Sequence, residues 1–167
     1  DVGYIEHIIE EVSLSQNIDL ERVYVCGFSN GGYLTYELAC LLNDKIAGIG
    51  VVGGHMFIDT YNYCSPTHPT PIINIHGTDD FIVRYYPPTI DFSMTALEAM
   101  DWWSVENNLT EQSYSQLNDY VTFFTNYSLN SSTKFTHIQV EGGDHEWFDY
   151  DWGFHASEEL LSFFMQY

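Results

Sequence analysis

Positive charge is what this sequence has least of. Arg22, Lys45, Arg84 and Lys134 are its whole basic complement against 24 Asp and Glu, for a formal charge of −20. Phosphate backbones and anionic lipid surfaces are held by clustered Lys and Arg, so neither nucleic acid nor a membrane surface is expected as a partner. No apolar run reaches the roughly 18 residues from which a membrane-spanning helix is read. Cysteine is scarce too: Cys26, Cys40 and Cys64 include no C-x-x-C spacing, which removes the commonest zinc pattern. With no ligand cluster and no phosphate-binding loop, no metal or organic cofactor is expected. No repeat, linker or low-complexity stretch interrupts residues 1–167, which are expected to form one domain or part of one.

What is present describes a packed protein. Hydrophobic residues make up 45% of the chain and aromatic residues 17%, well outside the composition of disordered chains. The acidic excess reads first as a solvated surface, and its field favours neutral or cationic substrates. Cys26 falls in an apolar strand and Cys40 on a helix, where buried free thiols are expected. Asn108, Asn126 and Asn130 open glycosylation sequons, which matter only in a secreted eukaryotic protein.

Periodicity alternates between strand and helix. Val2, Ile5, Ile8, Ile9 and Val12 recur at helical spacing, and a polar turn at 17–20 leads to a short buried strand, Arg22 to Cys26. A second helix carries Leu34, Leu38, Leu41 and Leu42. Apolar, strand-length runs follow at 46–52 and 71–76. Thr95 and Glu98 have capping-box spacing and open a helix to about Glu106. Residues 120–127 and 134–140 read as a hairpin. Ala156 to Gln166 reads as a closing helix with Leu160, Leu161, Phe163 and Phe164 turned inward. The alternation predicts an α/β fold, a mostly parallel sheet with helices on both faces.

Three motifs carry chemistry. Gly27-Phe28-Ser29-Asn30-Gly31 matches G-x-S-x-G, placed after a strand and opening a helix, the turn that exposes a nucleophilic serine. A serine hydroxyl needs a histidine to take its proton and a carboxylate to orient that histidine. In this architecture the order is serine, acid, histidine. Asp79 and Asp80 follow the strand at 71–76, and His145 follows the strand at 134–140, so Ser29, one of these two aspartates and His145 are the candidate triad. The backbone N–H of Asn30 is the candidate oxyanion donor. His155 is the only late rival to His145. Trp147, Phe148, Tyr150 and Trp152 follow His145, Tyr85 and Tyr86 follow Asp80, and Phe28 precedes Ser29. This group is expected to line an apolar cleft for substrate, with Trp147 and Phe28 foremost.

On these residues the chain resembles the polyhydroxybutyrate depolymerase and feruloyl esterase group of α/β hydrolases. The matching stretches are 17–32 (NIDLERVYVCGFSNGG), 71–80 (PIINIHGTDD), 140–147 (VEGGDHEW) and 156–164 (ASEELLSFF). The group's H-G-T-x-D pattern puts the acid on Asp80 and leaves Asp79 in the variable position, while G-G-x-H-x-W falls on His145 and Trp147. The resemblance implies a secreted or periplasmic serine esterase acting on neutral esters: a polyester, a feruloylated or acetylated polysaccharide, or a small ester. Glu146 and Phe148 depart from the group's usual residues and are expected to alter the rim of the site. Members of the group have further strands before the opening helix, including a loop with one oxyanion donor. The chain is therefore expected to be a partial α/β-hydrolase fold, the C-terminal part of a catalytic domain. The alternatives are a weak or inactive hydrolase-fold module and, less in keeping with the motifs, a serine peptidase.

Overall fold

The computed structural model describes residues 1–88 and 92–167. In chain order these form α1 (Val2–Ser15), β1 (Tyr24–Phe28), α2 (Asn30–Leu41), β2 (Gly48–Val52), β3 (Met56–Phe57), α3 (Ile58–Tyr63) and β4 (Ile72–Gly77). There follow β5 (Ser93–Met94), α4 (Ala96–Glu106), β6 (Glu111–Gln116), β7 (Val121–Tyr127), β8 (Lys134–Val140) and α5 (Ala156–Phe164).

A six-stranded mixed sheet in the order β1-β2-β4-β8-β7-β6 organises these elements. β1, β2, β4 and β8 run parallel, and β7 and β6 continue antiparallel. Every residue of β2 and β4 is buried, which is why β2 reads as an unbroken apolar run and β4 as a mostly apolar one, its Asn74 and His76 being buried polar groups. Side chains then divide by parity. Ile49, Val51, Ile72 and Phe135 pack with Tyr36 and Leu38 of α2 and Trp103 of α4. Ile73, Ile75, Ile138 and Val140 pack with Leu160 and Phe163 of α5 and with Phe148. Helices thus cover both faces, as expected. Thr95 caps α4 in a complete capping box with Glu98, and the expected hairpin is β7–β8.

Several local expectations are corrected. β1 starts at Tyr24 because Asp19 caps a short 3-10 turn, Leu20–Arg22, and pairs with Arg22 at 2.7 Å, holding Arg22 out of the strand. Leu41 and Leu161 point to solvent, since one helical face cannot bury every leucine. α1 forms, but none of its residues is fully buried; Val2 and Ile5 pack on the core, and Lys45 bridges Glu6 and Glu10. β6 carried no apolar signal, being polar and exposed, and exists through its ladder to β7. The expectation of buried free thiols fails. Cys40 on α2 is disulfide-bonded to Cys64 at the end of α3, and Cys26 is exposed. Asn126 is buried and donates to Ser104 Oγ, so its sequon is closed in the folded protein. No helix among the described residues is long and apolar enough to cross a membrane.

Candidate active site

Parallel strands put their C-terminal ends on one edge of a sheet, and loops leaving those ends meet there. Ser29 follows β1 directly, Asp80 lies three residues beyond β4, and His145 lies five beyond β8. The chain order therefore becomes a spatial cluster.

Ser29 sits at φ 54°, ψ −119°, a backbone region that side chains rarely adopt. Close packing maintains it. A Cβ on Gly27 would lie 2.2 Å from the Gly31 carbonyl oxygen, and one on Gly32 2.9 Å from Val51. A Cβ on Gly31 would meet nothing within 4 Å, so the crowding falls on Gly27 and Gly32. The Ser29 N–H donates to Val52 O at 2.9 Å, tying the turn to β2.

His145 Nδ1 is 2.7 Å from Asp80 Oδ2, and His145 Nε2 is 2.9 Å from Ser29 Oγ. An ionised carboxylate only accepts, so Nδ1 carries the proton and Nε2 is left to receive the serine's. The Asp80 side chain is fully buried. Burial raises its carboxyl, but hydrogen bonds from His76, His145 and the Val83 amide outweigh this and hold it down to about 2. Its Oδ1 accepts from Ile82 N at 2.9 Å and Val83 N at 2.7 Å. The neighbouring Asp79 side chain is exposed.

The acid and histidine loops are joined to each other. Thr78 N donates to Val140 O, Asp79 N to Gly143 O, and Gly142 N to Thr78 Oγ1. Asn30 is the first residue of α2, where a backbone N–H has no partner within the helix and is free for an oxyanion. The rival His155 caps α5 by accepting from Ser157 N and belongs to that helix end.

Of the expected aromatic cleft, the structure brings Phe28 and Trp147 to the site. Phe28 stacks on the His145 ring and meets Trp147 edge-on at 6.2 Å; Trp147 Nε1 donates to Ser157 Oγ. Phe148 is corrected from rim to core, with no exposed surface, because the chain turns inward after Trp147. Tyr85 bonds His137 Nε2, whereas Tyr86 is exposed. Sequence reasoning passed over His76, which lies beneath the acid loop. Its one visible signal was its place in H-G-T-x-D. Among the described residues no cluster of three or more His, Cys, Asp or Glu is arranged to hold a metal.

This architecture is the α/β-hydrolase fold, with a serine, histidine and carboxylate at the C-terminal edge of its parallel strands. The phospholipase/carboxylesterase family model matches residues 2–123, and the chain belongs to that family. It is 33% identical over 85 residues to a bifunctional acetylxylan esterase/xylanase of Neocallimastix patriciarum, covering 51% of this chain and 12% of that protein. It is 32% identical over 87 residues to feruloyl esterase B of Piromyces equi, covering 51% and 16%. Among solved structures, the acetyl xylan esterase of Aspergillus awamori superposes with a TM-score of 0.70 at 14% identity, over 99% of this chain and 67% of that one. Arabidopsis thaliana SOBER1 superposes at 0.63 and 17%, over 99% and 61%.

Proposed function

We propose that the protein is a serine carboxylic-ester hydrolase working through an acyl-enzyme. The observation that carries this reading is the continuous relay from Ser29 Oγ through His145 to Asp80. His145 Nε2 takes the serine proton as Oγ attacks the ester carbonyl. Asp80 holds the tautomer and stabilises the imidazolium, and the Asn30 N–H receives developing negative charge on the carbonyl oxygen. The imidazolium returns its proton to the departing alkoxide, leaving an acyl-serine. Water, deprotonated by the same histidine, then releases the acid.

Neutral acyl groups, acetyl or feruloyl on a polysaccharide, are the substrates we favour. Support comes from the named activities of the Neocallimastix patriciarum and Piromyces equi relatives and from a charge of −20 that repels anionic esters. A polyester stays within the same class. The Cys40–Cys64 disulfide supports a secreted or periplasmic setting, since such bonds persist in oxidising compartments. We also take residues 1–167 as part of one catalytic domain, in keeping with the 61% of the Arabidopsis structure they span.

The test compares the parent with Ser29→Ala on p-nitrophenyl acetate, methyl ferulate and acetylated xylan. Turnover by the parent alone is expected. Equal rates for the two proteins would refute the reading.

A further inference from the structure

We propose that His76 is a positioning residue for the acid of the site, pinning the loop that carries Asp80 so that the carboxylate faces His145. The proposal rests on the esterase reading for its kinetic test, though the geometry stands independently of it. His76 is on β4 and has no exposed surface. Its Nε2 is 2.7 Å from Val83 O. A carbonyl only accepts, so Nε2 bears the proton and His76 is the donor. The same Nε2 is 3.4 Å from Asp80 Oδ2, the oxygen that also receives His145 Nδ1.

These contacts close a ring. The amides of Ile82 and Val83 hold Asp80 Oδ1, the Val83 carbonyl is held by His76, and His76 belongs to a strand paired on both sides. Rotation of the carboxylate away from His145 therefore requires the loop to leave the sheet. Within the same segment, Asp80 N also reaches Gly77 O, at 3.4 Å.

The titratable groups facing His76 are His55 from the loop after β2, with ring centroids 4.9 Å apart, and Tyr85 and Asp80 from the acid loop. His137 on β8 lies beyond Tyr85. His55 is buried and kept neutral, its imidazole pushed down to about 3. Among the described residues Nδ1 of His76 has no hydrogen-bond partner, so the ring's contacts there are those of Nε2. A residue kept only to fill space would not place a polar ring there, because an unpartnered buried nitrogen is costly.

The experiment uses His76→Gln, which can present an amide near the place of Nε2, against His76→Asn, whose shorter amide cannot, and His76→Leu. Active sites are counted by titration with a fluorophosphonate, so that fewer folded molecules are not mistaken for slower ones. Misplacement by about 1 Å costs roughly 10²-fold. We expect kcat on p-nitrophenyl acetate to fall by about ten- to a hundredfold in Asn and Leu, with KM little changed, and to recover in Gln. The acid limb of the kcat/KM profile should be displaced in the impaired variants only. Proton NMR reads the same bond without turnover: the far-downfield resonance of His145 Nδ1–H should persist in parent and Gln and be lost or shifted in Asn. If Leu does not fold, the Gln and Asn pair decides. Asn and Gln equal to each other in rate and resonance, or a folded Leu variant matching the parent, would overturn the proposal. A parent with no turnover but with the resonance intact and lost only in Asn would refute the esterase reading while upholding this one.

Discussion

Phe28 lies against the imidazole of His145, ring centroids 4.8 Å apart and planes inclined by 30°. The ring that the sequence assigns to the substrate cleft is thus already engaged by the base. In the proposed mechanism that imidazole becomes cationic, and a cation over an aromatic face gains about 0.5–2 kcal/mol. Phe28→Leu should therefore lower kcat by roughly two- to thirtyfold with little change in KM. Steady-state kinetics on p-nitrophenyl acetate decides it. A rise in KM at constant kcat would return Phe28 to the substrate cleft.

The three relay residues should differ in weight. Ser29→Ala and His145→Ala are expected to lower kcat by about 10⁵–10⁶-fold and Asp80→Ala by nearer 10⁴, each without unfolding the protein. Asp79→Ala should be mild, because its side chain is exposed and only its backbone N–H is engaged, with Gly143. Crippling loss in Asp79→Ala beside a mild Asp80→Ala would reverse the assignment of the acid. Activity should also survive a metal chelator.

Thiol counting tests the cysteine assignment. The native protein should react with one equivalent of a disulfide reagent such as DTNB, at Cys26, and show three thiols after reduction in denaturant. Cys26 is exposed as a residue, yet partial desolvation of its thiol by neighbouring atoms pushes the thiol up, so its reaction should be slow near neutral pH. Replacing Cys40 and Cys64 together by alanine should cost about 2–4 kcal/mol of stability by denaturant titration. Three reactive thiols in the native protein would exclude the pairing.

Acid should destabilise the fold well above the range of ordinary carboxylates. His55 and His137 have no exposed surface, and burial pushes both down to about 3 from 6.5. The folded value lies below the unfolded one, so the unfolded chain takes up protons first as pH falls. The stability these groups contribute is complete above about 6.5 and drains away towards 3, at up to about 1.4 kcal/mol per pH unit for each histidine. Asp80 adds a further loss between about 4 and 2. Urea unfolding at pH 7, 6 and 5 should show the first slope, and His137→Gln should flatten it even if its absolute stability is lower. An unchanged slope in that variant would show that His137 is not buried in neutral form.

The sequence by itself determined the alternation of strands and helices and the buried parallel centre of the sheet, and it put forward Ser29, Asp80 and His145 as candidates, Asp80 through the H-G-T-x-D resemblance. These were legible because each depends on chemistry within a few residues: a glycine-flanked serine between strand and helix, and polar residues directly after apolar runs. Only the tertiary structure decided what those residues touch. Cys40 and Cys64 are separated by 24 positions, and three cysteines allow three pairings that no spacing rule ranks. β6 has no apolar face to announce it and is a strand because β7 offers it a ladder. Leu41 and Leu161 look like core by composition but fall on the outer side of helices whose inner faces are already filled. Phe28 on His145 is a contact between segments that meet only when the elements around β1 and β8 converge, and His76 beneath Val83 depends on how the loop after β4 folds back over its own strand. A pattern of residue types records which groups are present, whereas the direction of a buried side chain is settled by close packing among segments far apart in the chain.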